Sequence, residues 1–190
     1  VRLETPDNAP QPGSSESSVV NKGISRWSDE DLFKQSPPPE DCPICLVPLP
    51  LDNVDSQYQA CCGKILCMGC IYGVKTGAEE SIGTICPFCR TPAATSVGEQ
   101  LERIKNRAEA DDTCAIQILG CHYHCGSMGL RQDHQKGNEL FLRAGKLGDG
   151  TSYHNLAQSY VFGRGVDVDM KKAKYYWELA AIGGGCKSEA

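Results

Sequence analysis

No apolar run in this 190-residue chain is long enough to cross a bilayer, and its opening residues carry no secretory signal. Clusters of basic residues are missing too. Lys and Arg total 19 against 24 Asp and Glu, are scattered, and leave a formal net charge of −5. These absences exclude a general nucleic-acid-binding or membrane-surface role, so neither nucleic acid nor membrane is expected as a partner. They leave a reducing compartment, cytoplasm or nucleus, as the default setting. The chain opens on Val1 rather than Met, as a fragment would, and an upstream targeting segment stays open.

Cysteine is abundant. Eight of the twelve cysteines fall into four pairs between residues 42 and 90: Cys42 and Cys45, Cys61 and Cys62, Cys67 and Cys70, Cys86 and Cys89. A two-residue gap lets a tight turn aim both sulfurs at one metal, and four thiolates close a tetrahedral zinc shell. Eight sulfurs suggest two closed sites, hence two Zn ions. A stretch under fifty residues is too short for a large core, so metal binding must supply much of its folding free energy. A disulfide framework could use the same residues; the repeated gaps and the lack of a secretory signal favour zinc.

Read in order, the pairs resemble the alternating ligand scheme of a RING finger over residues 42 to 90. That resemblance implies one site from Cys42, Cys45, Cys67 and Cys70 and a second from Cys61, Cys62, Cys86 and Cys89. Most members carry a ligating His three residues before the fifth ligand; here that position is Lys64, whose ammonium has no lone pair to give. Adjacent Cys61 and Cys62 supply the missing sulfur, as in the all-cysteine subclass. LIM-like and PHD-like patterns fit less well. In RING ubiquitin ligases an aliphatic residue in the first pair and a proline in the last form a shallow groove for a ubiquitin-conjugating enzyme. The matching residues are Ile44 and Pro87, with Ile71, Tyr72 and Val74 on the short helix expected after Cys70. Arg90 stands where active members use a cation to hold the conjugated ubiquitin. The resemblance thus implies Arg90 as the catalytic residue, acting without any covalent link to ubiquitin.

The second half repeats with a period near thirty-six. Leu119, Gly120, Tyr123, Gly126, Asp133, Gly137, Phe141, Ala144 and Gly148 are answered by Leu156, Ala157, Tyr160, Gly163, Asp169, Ala173, Trp177, Ala180 and Gly184. The offset is thirty-seven up to Gly126 and Gly163 and thirty-six from Gly129 and Gly165 onward, so the extra residue belongs to the loop between them. Each copy reads as two antiparallel helices, with Asp133 and Asp169 as N-caps and small residues permitting close approach. The pattern resembles the Sel-one-like repeat, a relative of the tetratricopeptide repeat. That likeness implies a solenoid that binds a protein substrate or adaptor and has no active site of its own.

The expected architecture is a disordered tail over 1–40, a small zinc-stabilised α+β RING module over 42–90, and a linking helix over 97–110 with Leu101 and Ile104 on one face. An all-α helical-repeat solenoid comes next, with copies at 112–148 and 149–184. Residues 185–190 read as the start of a truncated further repeat, since the last helix is apolar on every side. Within the tail, Ser28 and Asp31 beside Trp27, Leu32 and Phe33 suggest either a transient helix or a docking motif. Cys114, Ile118, Cys121 and Cys125 step by four, three and four. They read as a buried helical stripe rather than a third metal site, with His122 and His124 pointing elsewhere. The functional expectation is a RING-type ubiquitin ligase whose partners are a conjugating enzyme, ubiquitin and a protein held on the repeats. The alternative is a non-enzymatic scaffold with a structural zinc module.

Overall fold

The computed structural model describes residues 40–50, 55–75 and 85–183. The expectations for the tail and its Trp27 segment, for Gly184 and for 185–190 lie outside the described residues.

Two knuckle turns of the same shape frame the first module. In the first, Leu46 N–H donates to Cys42 O and Cys42 N–H donates to Val47 O; in the second, Arg90 N–H donates to Cys86 O and Cys86 N–H donates to Thr91 O. Closing a turn this tightly forces the residue after the second cysteine into the left-handed region, and both Leu46 and Arg90 have φ 58°. Between the knuckles stand a hairpin of β1 (Ser56–Gln59) and β2 (Lys64–Cys67), antiparallel with Ser56 opposite Cys67, and helix α1 (Met68–Lys75). Helix α1 starts before Cys70 rather than after it, so this ligand candidate rides on the first turn. The core of the module is minimal: Leu49, Leu66 and Ile71 are buried with Cys42 and Cys86. Three aliphatic side chains bury too little area to offset the ordering entropy of some fifty residues. An α+β module this small needs a further source of stability.

Helix α2 (Val97–Glu109) is the expected linker. Ser96 Oγ accepts from Glu99 N–H at 3.1 Å, and Glu99 reaches back to Thr95 N–H at 2.8 Å, a capping box displaced by one residue. Its apolar face, Leu101, Ile104 and Ala108, is buried against Ala115, Ile116, Leu119 and Ala144 of the first repeat, and Tyr58 and Ala60 of the hairpin pack on the same cluster. Polar contacts fix the junction. Arg103 donates to Pro92 O at 2.9 Å and pairs with Glu99 at 2.7 Å, while Tyr58 donates to Asp112 at 2.7 Å.

The repeats are α3 (Thr113–Cys125) with α4 (His134–Lys146) and α5 (Gly150–Phe162) with α6 (Met170–Gly183). Each of the four starts on an aspartate. Asp112, Asp133 and Asp149 accept from the third N–H beyond them, and Asp169 accepts from Lys171 and Lys172 at 3.0 Å. The caps at Asp133 and Asp169 match the sequence reading. Those at Asp112 and Asp149 had gone unread, and Asp149 is the odd one, because burial pushes its carboxyl above the usual range while it still caps Ser152 N–H at 2.8 Å. Helices α3 and α5 both end on a left-handed glycine, Gly126 at φ 67° and Gly163 at φ 65°. The first helices start 37 residues apart and the second helices 36, which puts the extra residue in the loop after Gly126, as the sequence offset requires.

The cysteine stripe of α3 needs correction. Cys114 is buried, but Cys121 is only half-buried and Cys125 is exposed. The buried face instead runs through Ala115, Ile116, Leu119 and Gly120, because α3 is sandwiched between α2 and α4 and turns its smallest residues toward both.

Candidate metal centres and protein-binding faces

The four sulfurs of Cys42, Cys45, Cys67 and Cys70 all lie within 4.8 Å of one another, and so do those of Cys61, Cys62, Cys86 and Cys89. Measured pairs include Cys42–Cys70 at 3.9 Å, Cys45–Cys67 at 3.7 Å, Cys62–Cys86 at 4.0 Å and Cys61–Cys89 at 3.4 Å. A zinc–sulfur bond of about 2.3 Å gives a tetrahedron with edges of about 3.8 Å, so both sets have the spacing of a thiolate shell. All eight are free thiols rather than disulfides. The first set joins a knuckle to the end of β2 and the first turn of α1; the second joins the hairpin turn to the other knuckle.

Crowding splits the thiols by protonation. Burial raises Cys42, yet N–H groups of Cys45, Cys67 and Ile44 outweigh it and bring this thiol down to about 6. Burial likewise raises Cys89, and the Thr91 hydroxyl and N–H overcome it, again to about 6. Cys62 is pushed up to about 11, chiefly by burial, and Cys61 and Cys70 are raised by burial and by hydrogen bonds to their neighbours. Each cluster therefore pairs a sulfur favoured as thiolate, Cys42 or Cys89, with at least one whose thiol form is favoured, Cys70 in the first and Cys61 and Cys62 in the second, so a cation entering would displace protons. The hydroxyl of Thr91, 3.1 Å from Cys89 Sγ, is a supporting group that the sequence reading missed. A signal existed: Cys-Pro-x-Cys-x-x-Pro occurs at Cys42–Pro48 and again at Cys86–Pro92, so the three residues after each of these pairs belong to the knuckle itself.

The surface residues fare unevenly. Ile44 is 42% exposed and Phe88, its counterpart in the other knuckle, 43%; Leu46, Val47 and Tyr72 are exposed as well. Pro87 is half-buried and Arg90 exposed. Ile71 does not belong on a docking surface: it is 4% exposed and packs in the core of the module, because α1 turns this side toward Leu66. Val74 lies on α1, and its side chain is outside the described residues. A cleft of about 240 Å³ opens between module and linker, lined by Gln57, Gln59, Ile85, Pro92, Gln100 and Arg103 among others.

In the repeats, the residues around Cys121 and Cys125 disperse. His122 Nδ1 meets Ser127 Oγ at 2.8 Å, His124 Nε2 meets Ser159 Oγ at 3.2 Å, and Gln117 donates to Cys121 Sγ at 3.5 Å. Close helix approach depends on the small residues: a Cβ on Gly120 would fall 2.8 Å from the Phe141 ring.

Stacked antiparallel helical pairs of this length define a helical-repeat scaffold. More particularly, residues 115–149 and 151–185 match the family model of the Sel1 repeat, so the C-terminal part carries two such repeats. The chain is 33% identical over 84 residues to the ERAD-associated E3 ubiquitin-protein ligase component HRD3B of Arabidopsis thaliana; the match takes in 44% of this chain and 13% of that relative's length. Among solved structures it is similar to a Sel1 repeat protein from Oxalobacter formigenes, at 26% identity and a TM-score of 0.46 over 48% of this chain and 37% of that one. It is also similar to a protective antigen of uropathogenic Escherichia coli that displays an SLR fold, at 25% identity and a TM-score of 0.45 over 48% of this chain and 19% of that one. The Sel1 repeats make the C-terminal part a helical protein-interaction scaffold. No helix among the described residues is long and apolar enough to cross a membrane.

Proposed function

We propose that the chain is a RING-type ubiquitin ligase module fused to a Sel1-repeat scaffold, the repeats holding a substrate or adaptor. The observation that carries this reading is the alternation of the sulfur sets, pairs one and three against pairs two and four, each at tetrahedral spacing. Zinc in both shells would supply folding free energy and no reaction chemistry, since four thiolates leave no open position. The reactive work falls to the surface. Ile44 and Pro87 dock a conjugating enzyme, and Arg90 bridges it to ubiquitin so that the flexible thioester is held in near-attack geometry, which removes entropy from the barrier. A guanidinium suits that bridge because its donors are fixed in a fork. Exposure of Ile44 on one knuckle and Arg90 on the other supports the assignment. So does the Arabidopsis relative's being a ligase component.

The test is discharge of ubiquitin from a panel of loaded conjugating enzymes. Wild-type chain should accelerate discharge. Ile44→Ala should weaken docking by about tenfold, the loss typical of an apolar interface anchor. Arg90→Ala should preserve docking and slow discharge by about tenfold or more, as expected for an interaction made only in the reactive pose. Acceleration of no enzyme in the panel hands the chain to the scaffold reading, which the Sel1 repeats support by themselves.

A further inference from the structure

The seam between the two repeats is built from polar groups of unusual kind. His124 on α3 and His134 on α4 face each other edge-on with ring centroids 4.4 Å apart, and Phe141 backs His124 at 5.7 Å. From the second repeat, α5 presents Ser159 to His124 Nε2 at 3.2 Å. The loop after α5 offers the Arg164 carbonyl to the buried Asn138 amide at 2.7 Å. Gly165 in that loop comes so near that a Cβ on it would stand 2.7 Å from the backbone of His134 and Gln135. His134 Nδ1 and Asn138 Oδ1 are buried there without a hydrogen-bond partner.

We propose that this seam is a proton-sensitive hinge, in which protonation of His124 parts the second repeat from the first. Ser159 spends its own hydroxyl proton on Asn155 O at 3.2 Å, so it accepts from His124 Nε2–H, and the closed seam selects that neutral tautomer. An added proton goes to the other nitrogen, Nδ1. Among the described residues, the groups that act electrostatically on His124 are His134 from α4 and Arg164 from the loop, both adverse to a second positive charge. Helix α5 contributes the uncharged Ser159, and on α3 itself the titratable neighbours are Cys121, His122 and Cys125. Burial first, then His134 and Arg164, hold His124 below the ordinary imidazole range. A base with a depressed native value protonates more readily when the seam is open. The closed seam is therefore favoured above the ordinary imidazole value near 6.5 and loses that advantage as pH falls through it. In an array where only neighbours touch, the seam angle sets the curvature shown to a bound protein, so mild acid would change what the scaffold holds.

The experiment is amide hydrogen exchange on the full chain at pH 7.5 and 5.5, corrected for intrinsic rates, with the four imidazoles titrated in parallel by NMR. Protection of α4, α5 and the loop between Phe162 and Asp169 should drop several-fold in acid relative to α3, over the interval in which His124 titrates. The double variant His124→Gln with His134→Gln keeps a side-chain donor for Ser159 and no titratable ring, so its protection should be the same at both values of pH. His122→Gln, removing a ring that bonds Ser127 outside the seam, should leave the acid response unchanged. Equal protection of wild type at both pH values overturns the proposal. An undiminished response in the double variant overturns it as well, as does titration of His124 outside the interval of the change. Should the double variant lose its helical dichroism, His124→Gln alone must still shrink the response, and a full response there also overturns it.

Discussion

Single atoms decide much of the packing in the repeats. Gly145 on α4 faces Tyr153 on α5 so closely that an added Cβ would lie 2.5 Å from the ring, whereas a Cβ on Gly73 of α1 would meet nothing within 4 Å. Both glycines sit in helices, where alanine is the better former by about 0.5–1 kcal/mol. Gly73→Ala should therefore leave the melting temperature unchanged or raise it slightly. Gly145→Ala should lower stability by about 1–3 kcal/mol, because the ring must be displaced from a filled interface. Thermal melts of the two variants check the contrast, and equal effects would mean the α4–α5 contact is loose. That small residues mark close approach was legible in the chain; the partner of each was not. Tyr153 lies in the other repeat, and no local pattern pairs it with Gly145.

Among the elements, the caps at Asp133 and Asp169 and the offset of the repeats were legible because each is a local backbone requirement written in one or two residues. The position of Ile71 was not. It comes directly after a ligand candidate, yet its direction depends on the start of α1 at Met68, a turn earlier than the pairing suggests. The stripe of α3 failed for a related reason: a helix packed on two sides has no single apolar face, and periodicity cannot say which side is closer. The cysteine module and the repeats differ in what supports them, so they should part under chelation. A strong chelator should release two zinc ions per chain and abolish the fold of residues 42–90, while most helical dichroism survives. Loss of Tyr58 and Ala60 from the shared cluster should still lower the melting temperature of the repeats by a few degrees. Elemental analysis and calorimetry before and after chelation measure both effects; absence of zinc from the purified chain would refute the assignment of the clusters.

For the whole molecule, the exposed large apolar side chains among the described residues include Ile44, Leu46, Val47 and Phe88 in the knuckles and a group between Phe162 and Trp177 in the second repeat. Phe162, Val168, Met170, Tyr175 and Trp177 are all exposed, Trp177 at 39%. Phe141, which stands in the first repeat where Trp177 stands in the second, is 2% exposed and lies against Gly120 and His124 of α3. A patch of that kind seeks cover. The 190-residue chain should self-associate at micromolar concentration and bind an apolar dye, and Trp177→Glu should reduce both. Sedimentation of wild type as a monomer without dye binding would show that the patch is too small or too broken to matter.

The bond of Tyr58 to Asp112 at the start of the repeats, with that of Arg103 to the Pro92 carbonyl, gives the array a direction. A linear stack normally frays at both ends, because each end unit has one neighbour instead of two. Here the first hairpin is clasped by α2, whose own far side is tied to a knuckle, so it has a neighbour that cannot slide. Unfolding under force or denaturant should thus travel one way, from α6 back toward α3. The cysteine module would be the anchor from which the stack winds again.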